Sequence, residues 1–291
     1  MIELNGVLNV VLLSLVAGLG TGLGGLLAII RRPGRRSFGF LMGITAGVMI
    51  CLSFLELVNE AWQLQGYLTA TIGFTLGAMF MFLLDYFIPH IRFGEREIEP
   101  KSLHLHLDAS QPKPPPQGGQ RLLSHFHHRY PRRGRKLTEV VDSKLLKTGM
   151  LIAIGITLHN LPEGIAVGAG YMHQPRFGYF IALAIMLHNI PEGIATALPL
   201  CKGGACRSDA LRVAFLSGMA EPVGALAAAL FLKSFQSLIP GALAFAGGVM
   251  VFITLDELIP VAREHGHQHW TALGIICGSI FVFLLSGLMG V

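Results

Sequence analysis

Two short stretches bring metal-ligand side chains together at helical spacing. His159 and Glu163 stand four residues apart, and so do His188 and Glu192. On an α-helix that spacing puts imidazole and carboxylate on one face. Asn160 and Asn189 follow the histidines, about 100° further round the axis. Pro162 removes a backbone donor and loosens the helix near Leu158, while Gly164 allows close approach of a neighbour. Imidazole with carboxylate suits zinc and other first-row divalent ions. Carboxylate with amide oxygen is harder and admits manganese or ferrous iron. If the two faces meet, they offer two imidazoles, two carboxylates and two amide oxygens. Two adjacent sites sharing Glu163 and Glu192 are then geometrically reasonable. Glu221, in Ala220-Glu221-Pro222, adds a third carboxylate.

A single buried His-x3-Glu pair also occurs as a structural hydrogen bond. Two copies, each with a proline and each in the middle of an apolar run, favour ligation. Glu56, Asp256 and Glu257 lie near the ends of such runs, where ligation and a structural or gating role both remain open. Asp85 reads as facing water, Met49 as packing, and His265, His267 and His269 as a solvated hinge. His90 and His173 belong to no constellation.

The elements that must carry these groups are membrane helices. Of 291 residues, 52% are hydrophobic and 13% charged. A soluble domain carries about 25% charged residues, so most of this surface cannot face water. A soluble enzyme, a secreted disulfide scaffold and a disordered chain are excluded. Eight apolar segments follow, at 6–30, 37–58, 67–89, 148–170, 177–200, 209–232, 238–262 and 269–290. Each is long enough to span a bilayer and is expected to be α-helical, since lipid cannot satisfy open backbone groups. The first has the flanks of a retained span, not of a signal peptide.

Twenty of the 22 Lys and Arg residues fall in alternate linkers or at the adjoining helix edges, leaving Arg176 and Lys233 on the other side. By the positive-inside rule the basic side is cytoplasmic and both termini face out. The net charge of +5 is therefore no nucleic-acid signal. Residues 1–91 form segments 1–3, 92–147 a cytoplasmic linker, and 148–291 segments 4–8, all within one membrane domain. The linker is rich in proline, glycine and basic residues and buries too little to fold alone. It carries His104, His106, His125, His127 and His128, which read either as a polar linker or as a weak metal-capture tract. Cys51, Cys201, Cys206 and Cys277 show no CxxC spacing and read as reduced packing residues.

Two internal repeats stand out. TLHNLPEGIAV at 157–167 matches MLHNIPEGIAT at 186–196, on segments that run in opposite directions. GVMICLSFLEL at 47–57 matches GVMVFITLDEL at 248–258, again on opposed segments. The architecture expected is therefore an all-α polytopic membrane protein with inverted repeats, segments 1–3 against 6–8 and segment 4 against 5. Inverted repeats with proline-interrupted helices meeting near the midplane mark transporters. Glu56, Asp85, Glu163, Glu192, Glu221, Asp256 and Glu257 all fall within segments, and no Lys or Arg sits in a segment interior. An ionised residue at the bilayer centre costs about 2.5–3.5 kcal/mol on insertion scales. Seven carboxylates without a protein cation need protons or metal ions.

HNLPEG at 159–164, HNIPEG at 188–193, SGMAEP at 217–222 and GVMVFITLDELIP at 248–260 resemble the ZIP (Zrt/Irt-like) metal transporters, in particular their bacterial ZupT-like branch. The likeness covers nearly the whole chain. It implies eight helices in the bacterial inner membrane, uptake of divalent metal, and a binuclear centre on segments 4, 5 and 6. It also implies elevator-like movement of a metal-carrying bundle, often within a homodimer. By the same resemblance His159, Glu163, His188 and Glu192 fall on one metal position, and Asn160, Glu163, Asn189, Glu192 and Glu221 on the other. Met49 matches a soft ligand of some members. Other branches differ in the segment-5 motif, so His188 and Asn189 point to broader selectivity: Zn2+, with Fe2+, Mn2+, Co2+ and Cd2+.

Two other readings compete. A proton-coupled or cation-exchanging carrier explains the acid excess but not the paired histidines. An intramembrane metallohydrolase lacks HExxH, and Glu163 sits where a ligand would, leaving no spare general base.

Overall fold

The computed structural model describes residues 2–31, 33–87 and 143–291. Most of the histidine-bearing linker and the last residues of segment 3 lie outside the described residues. Among the described residues there is no strand, and helices are joined by short turns.

Among the described residues, seven stretches are long and apolar enough to cross a membrane: Asn5–Ile30, Arg35–Phe87, Gly149–His173, Pro175–Lys202, Arg207–Ser234, Gln236–Glu264 and Gln268–Met289. Arg35–Phe87 has 53 residues, about two crossings long. Its run is broken at Gly66, where φ is 85° and ψ 169°. Only glycine takes that conformation without strain, and it falls between segments 2 and 3 as read from the sequence. Segment 4 starts earlier than expected, at Ser143. Segment 5 begins at Pro175, whose fixed φ suits a first helical position, and stops before Gly203-Gly204, with Gly204 at φ 96°. Segment 6 comprises two helices, Arg207–Gly218 and Ala220–Ser234, hinged at Met219.

Segments 2 and 7 share a further feature. Arg35–Cys51 runs into a π-helical turn at Leu52–Val58, and Ile239–Ile253 into one at Thr254–Leu258. The repeat that relates Gly47 to Gly248 relates Ser53 to Thr254 and Leu57 to Leu258. The irregularity therefore belongs to the repeated unit. A π turn shifts the register of the side chains beyond it.

The helices pack in two sets. Segment 1 lies on 5, segment 6 on 4, and 4 on 5; segment 3 lies on 7, and segment 8 on 2. Both sets are built by the same device, glycine against backbone. A Cβ on Gly193 would collide with the Thr21 carbonyl, and one on Gly24 with that of Ile190. Their counterparts are Gly164 against the Glu221 carbonyl and Gly224 against that of Leu161. Segments 4 and 5 are offset by 29 positions and segments 1 and 6 by 200, and all four contacts obey both offsets. The pairs Gly47·Ile275 and Gly248·Phe74 obey an offset of 201 in the other set. The symmetry read from two sequence matches thus extends to segments 1, 3, 6 and 8.

The sets differ in content. Buried polar side chains in segments 1, 4, 5 and 6 include Ser14, Thr21, His159, Asn160, Glu163, His188, Asn189, Glu192, Thr196, Ser217 and Glu221. Segments 2, 3, 7 and 8 bury Thr45, Ser53, Asp85, Thr254 and Thr271. Asp85 was expected to face water and is instead buried, at 7% exposure. Large apolar side chains such as Leu12, Trp62, Ile72, Leu230, Ile276 and Phe283 point outward. In hydrocarbon that exposure carries no hydrophobic penalty.

Candidate metal site

Each letter of the repeated HN-x-PEG motif has a physical job. Helix Ser143–His173 continues through Pro162, and Pro175–Lys202 through Pro191, so His-x3-Glu keeps its one-face spacing. The glycine draws a neighbouring helix against the site, Gly164 meeting segment 6 and Gly193 meeting segment 1. The asparagine then ties down that same neighbour. Asn160 Nδ2 donates to the Ser217 carbonyl at 2.8 Å, and Asn189 Nδ2 to the Ala17 carbonyl at 3.1 Å. Ser217 and Ala17 are repeat counterparts, 200 positions apart. With the amide nitrogens engaged, both Oδ1 atoms are left buried without a hydrogen-bond partner.

The histidines and glutamates converge. His188 Nε2 stands 3.2 Å from Glu163 Oε1. Ligand atoms of Glu163, His188 and Glu192 all lie within 4.8 Å of one another, and all three residues are buried. Both oxygens of Glu192 and Oε2 of Glu163 have no hydrogen-bond partner. An unsatisfied buried polar atom costs about 1–3 kcal/mol, and more when charged. Several such acceptors facing one point suit a dication, which satisfies them together.

Glu221 stands beside this cluster. Its Oε2 accepts from Asn189 at 2.9 Å and its Oε1 from the Ser14 hydroxyl at 3.3 Å. Ser14 and the Ala17 carbonyl come from segment 1, whose part in the site was missed from the sequence. Only the offset linking segments 1 and 6 would have pointed there. Thr45 Oγ1, also missed, donates to the His188 carbonyl at 3.2 Å.

His159 turns the other way. Its Nε2 lies 3.3 Å from Oε1 of Glu257, a half-buried residue of segment 7. His159, Glu192 and Glu257 form the polar end of a cavity of about 270 Å3. The cavity runs between segments 2, 4, 5 and 7 and is otherwise lined by Phe38, Met42, Ile152 and other apolar side chains. Arg35 and Lys202 also line it, on the Arg- and Lys-rich side of the molecule.

Glu56 and Asp256 do not belong to the group formed by Glu163, His188 and Glu192. Met49 is buried in the core, its Sδ accepting from Thr254 Oγ1 at 3.6 Å. Glu56 is half-buried beside Ser286, and Asp256 is exposed. His173, which carried no constellation in the sequence, meets Glu60 at 2.7 Å.

A helical membrane protein with a buried, inverted pair of metal-ligand motifs has the makings of a metal carrier. Comparison with known proteins gives the family. The profile of the ZIP zinc transporter family matches residues 72–286, and the chain belongs to that family, one of transporters and not of enzymes. The chain is 36% identical over 290 residues to the Akkermansia muciniphila protein named zinc transporter ZupT, covering 96% of this chain and 97% of that one. It is 37% identical over 277 residues to the ZupT of Lysinibacillus sphaericus, with 91% and 92% covered. It is 35% identical over 280 residues to zinc transporter ZTP29 of Arabidopsis thaliana, with 94% and 93% covered.

Proposed function

We propose that this protein carries zinc into the cytoplasm, and also accepts Fe2+, Mn2+, Co2+ and Cd2+. The observation that carries the reading is the convergence of Glu163, His188 and Glu192 within 4.8 Å, in a buried site with partnerless carboxylate oxygens. Two adjacent metal positions share Glu163 and Glu192. His159 and His188 complete one, and Asn160, Asn189 and Glu221 the other. The mixed donor set of imidazole, carboxylate and amide supports a selectivity broader than zinc.

Eight helices cross the bacterial inner membrane, with both termini outside the cytoplasm. The break at Gly66 and the distribution of Lys and Arg support that count and orientation. The cavity beside Arg35 and Lys202 then opens to the cytoplasm. Metal moves by alternating access: segments 1, 4, 5 and 6 carry it, and segments 2, 3, 7 and 8 form the frame against which they slide. The concentration of buried polar groups in the first set supports this division. The frame sets pair as a homodimer. Glu257 receives metal leaving His159, Glu56 and Asp256 guide it along the path, and Met49 offers a soft sulfur contact.

The test is uptake of radioactive zinc by proteoliposomes, with the other four ions as competitors, with and without a pH gradient. Saturable uptake, blocked by competing divalent ions, is the expected result. No flux for any of the five ions overturns the reading.

A further inference from the structure

The repeats relate the two ends of the metal path. Segments 4 and 5 are offset by 29 positions and segments 2 and 7 by 201. Applied to the cavity walls, these offsets take His159 to His188, Glu192 to Glu163 and Glu257 to Glu56. They also take Val261 to Glu60 and Lys202 to His173. The residues that stand where the open cavity has Val261 and Lys202 are therefore Glu60 and His173. At the open end Val261 and Lys202 line a cavity of about 270 Å3. At the other end their counterparts touch, His173 Nε2 lying 2.7 Å from Glu60 Oε1. Ile181, Ile185 and Leu243, on segments 5 and 7, are fully buried. They are the counterparts of Ile152, Ile156 and Met42, which line the cavity.

We infer that the Glu60–His173 contact is the closed outer gate of the metal path, and that Glu60, His173 and Glu56 form a landing site for a divalent cation once it opens. The inference rests on the alternating-access reading above. Glu60 and His173 belong to opposite helix sets, so sliding of one set past the other must part them. Both side chains are about a quarter exposed, at 30% and 23%, and so are within reach of an arriving ion. Imidazole and carboxylate are zinc ligands, and Glu56 lies one helical turn deeper on the same face as Glu60. Charge points the same way. Where the cavity has Val261 and Lys202, the other mouth has Glu60 and His173, a carboxylate in place of an apolar side chain and an imidazole in place of an ammonium, so an arriving dication is favoured at that mouth.

The test uses the full chain in proteoliposomes, with Cys51, Cys201, Cys206 and Cys277 replaced by alanine. Glu60→Cys and His173→Cys are introduced together and bridged by a short, cleavable bifunctional thiol reagent. Bridging is expected to cut zinc uptake by about tenfold or more, and cleavage to restore it. A bridged protein that carries zinc at the unbridged rate overturns the gate. Zinc uptake by the unbridged cysteine-free chain is measured first, and its absence overturns the transport reading itself. As a second measurement, Glu60→Gln should raise the KM for zinc uptake by about tenfold while kcat stays within about twofold, with Glu60→Asp restoring KM. A fall in kcat with KM unchanged overturns the landing site.

Discussion

His159-Asn160-Leu161-Pro162-Glu163-Gly164 and His188-Asn189-Ile190-Pro191-Glu192-Gly193 differ only at Leu161 against Ile190, yet they are held in unequal company. Asn160 donates to the Ser217 carbonyl, while Asn189 donates to the Ala17 carbonyl and to Glu221 as well. The repeat puts Thr21 where the second copy has Glu221, and the Thr21 hydroxyl is buried with no partner. The histidines also diverge. His188 turns inward onto Glu163, and His159 outward onto Glu257 at the cavity. Equal motifs on antiparallel helices thus make an unequal site. Symmetry supplies the histidines and glutamates in pairs, and the surroundings decide which histidine lines the cavity and where the third carboxylate stands.

Four experiments break or sharpen that comparison. The largest effect is expected where the copies act alike. Glu163→Ala and Glu192→Ala should each cut zinc uptake by at least about a hundredfold, since in the proposed two-metal site each removes a shared carboxylate and leaves buried charge uncompensated. Uptake at matched expression is the measurement, and a mild loss in either variant counts against sharing. Next comes the residue that makes the copies unequal. Glu221→Thr gives both copies the same neighbour and should lower the uptake rate by about tenfold, as a charge-assisted hydrogen bond is lost. An unchanged rate would place Glu221 outside the path.

The asparagines should then separate by a smaller margin. Asn189→Ala, which loses two partners, is expected to cost about fivefold in apparent affinity, and Asn160→Ala about threefold. Competition by manganese in both variants reads the amide-oxygen contribution directly, and equal losses would show that the second tie is idle. The smallest effect lies outside both copies. Deleting residues 101–135 should leave insertion intact and basal uptake within about twofold, while shifting apparent affinity or regulation. Failure to insert, or loss of all uptake, would make that linker an obligatory element.

Much of this protein is legible without coordinates. A surplus of apolar residues over charge forces helices through lipid, because no other backbone arrangement satisfies its own hydrogen bonds there. The spacing of His159 and Glu163, repeated at His188 and Glu192, puts the ligands on two faces by helical geometry alone. The match between 47–57 and 248–258 already hinted at inversion in the frame. Contacts between distant segments were beyond it. Nothing local to Ser14, Ala17 or Thr45 marks them as supports of the site, since their roles depend on glycine-mediated approach of helices far apart in sequence. Asp85 reads as solvated near the end of its apolar run, and only the folded chain shows it buried. His173 looked idle until Glu60 was found against it. Sequence alone determined which groups the membrane must accommodate, because hydropathy and helical period act residue by residue. Tertiary structure alone decided that His159, Glu192 and Glu257 share one cavity, because its walls come from segments far apart in sequence and only their packing leaves that space between them.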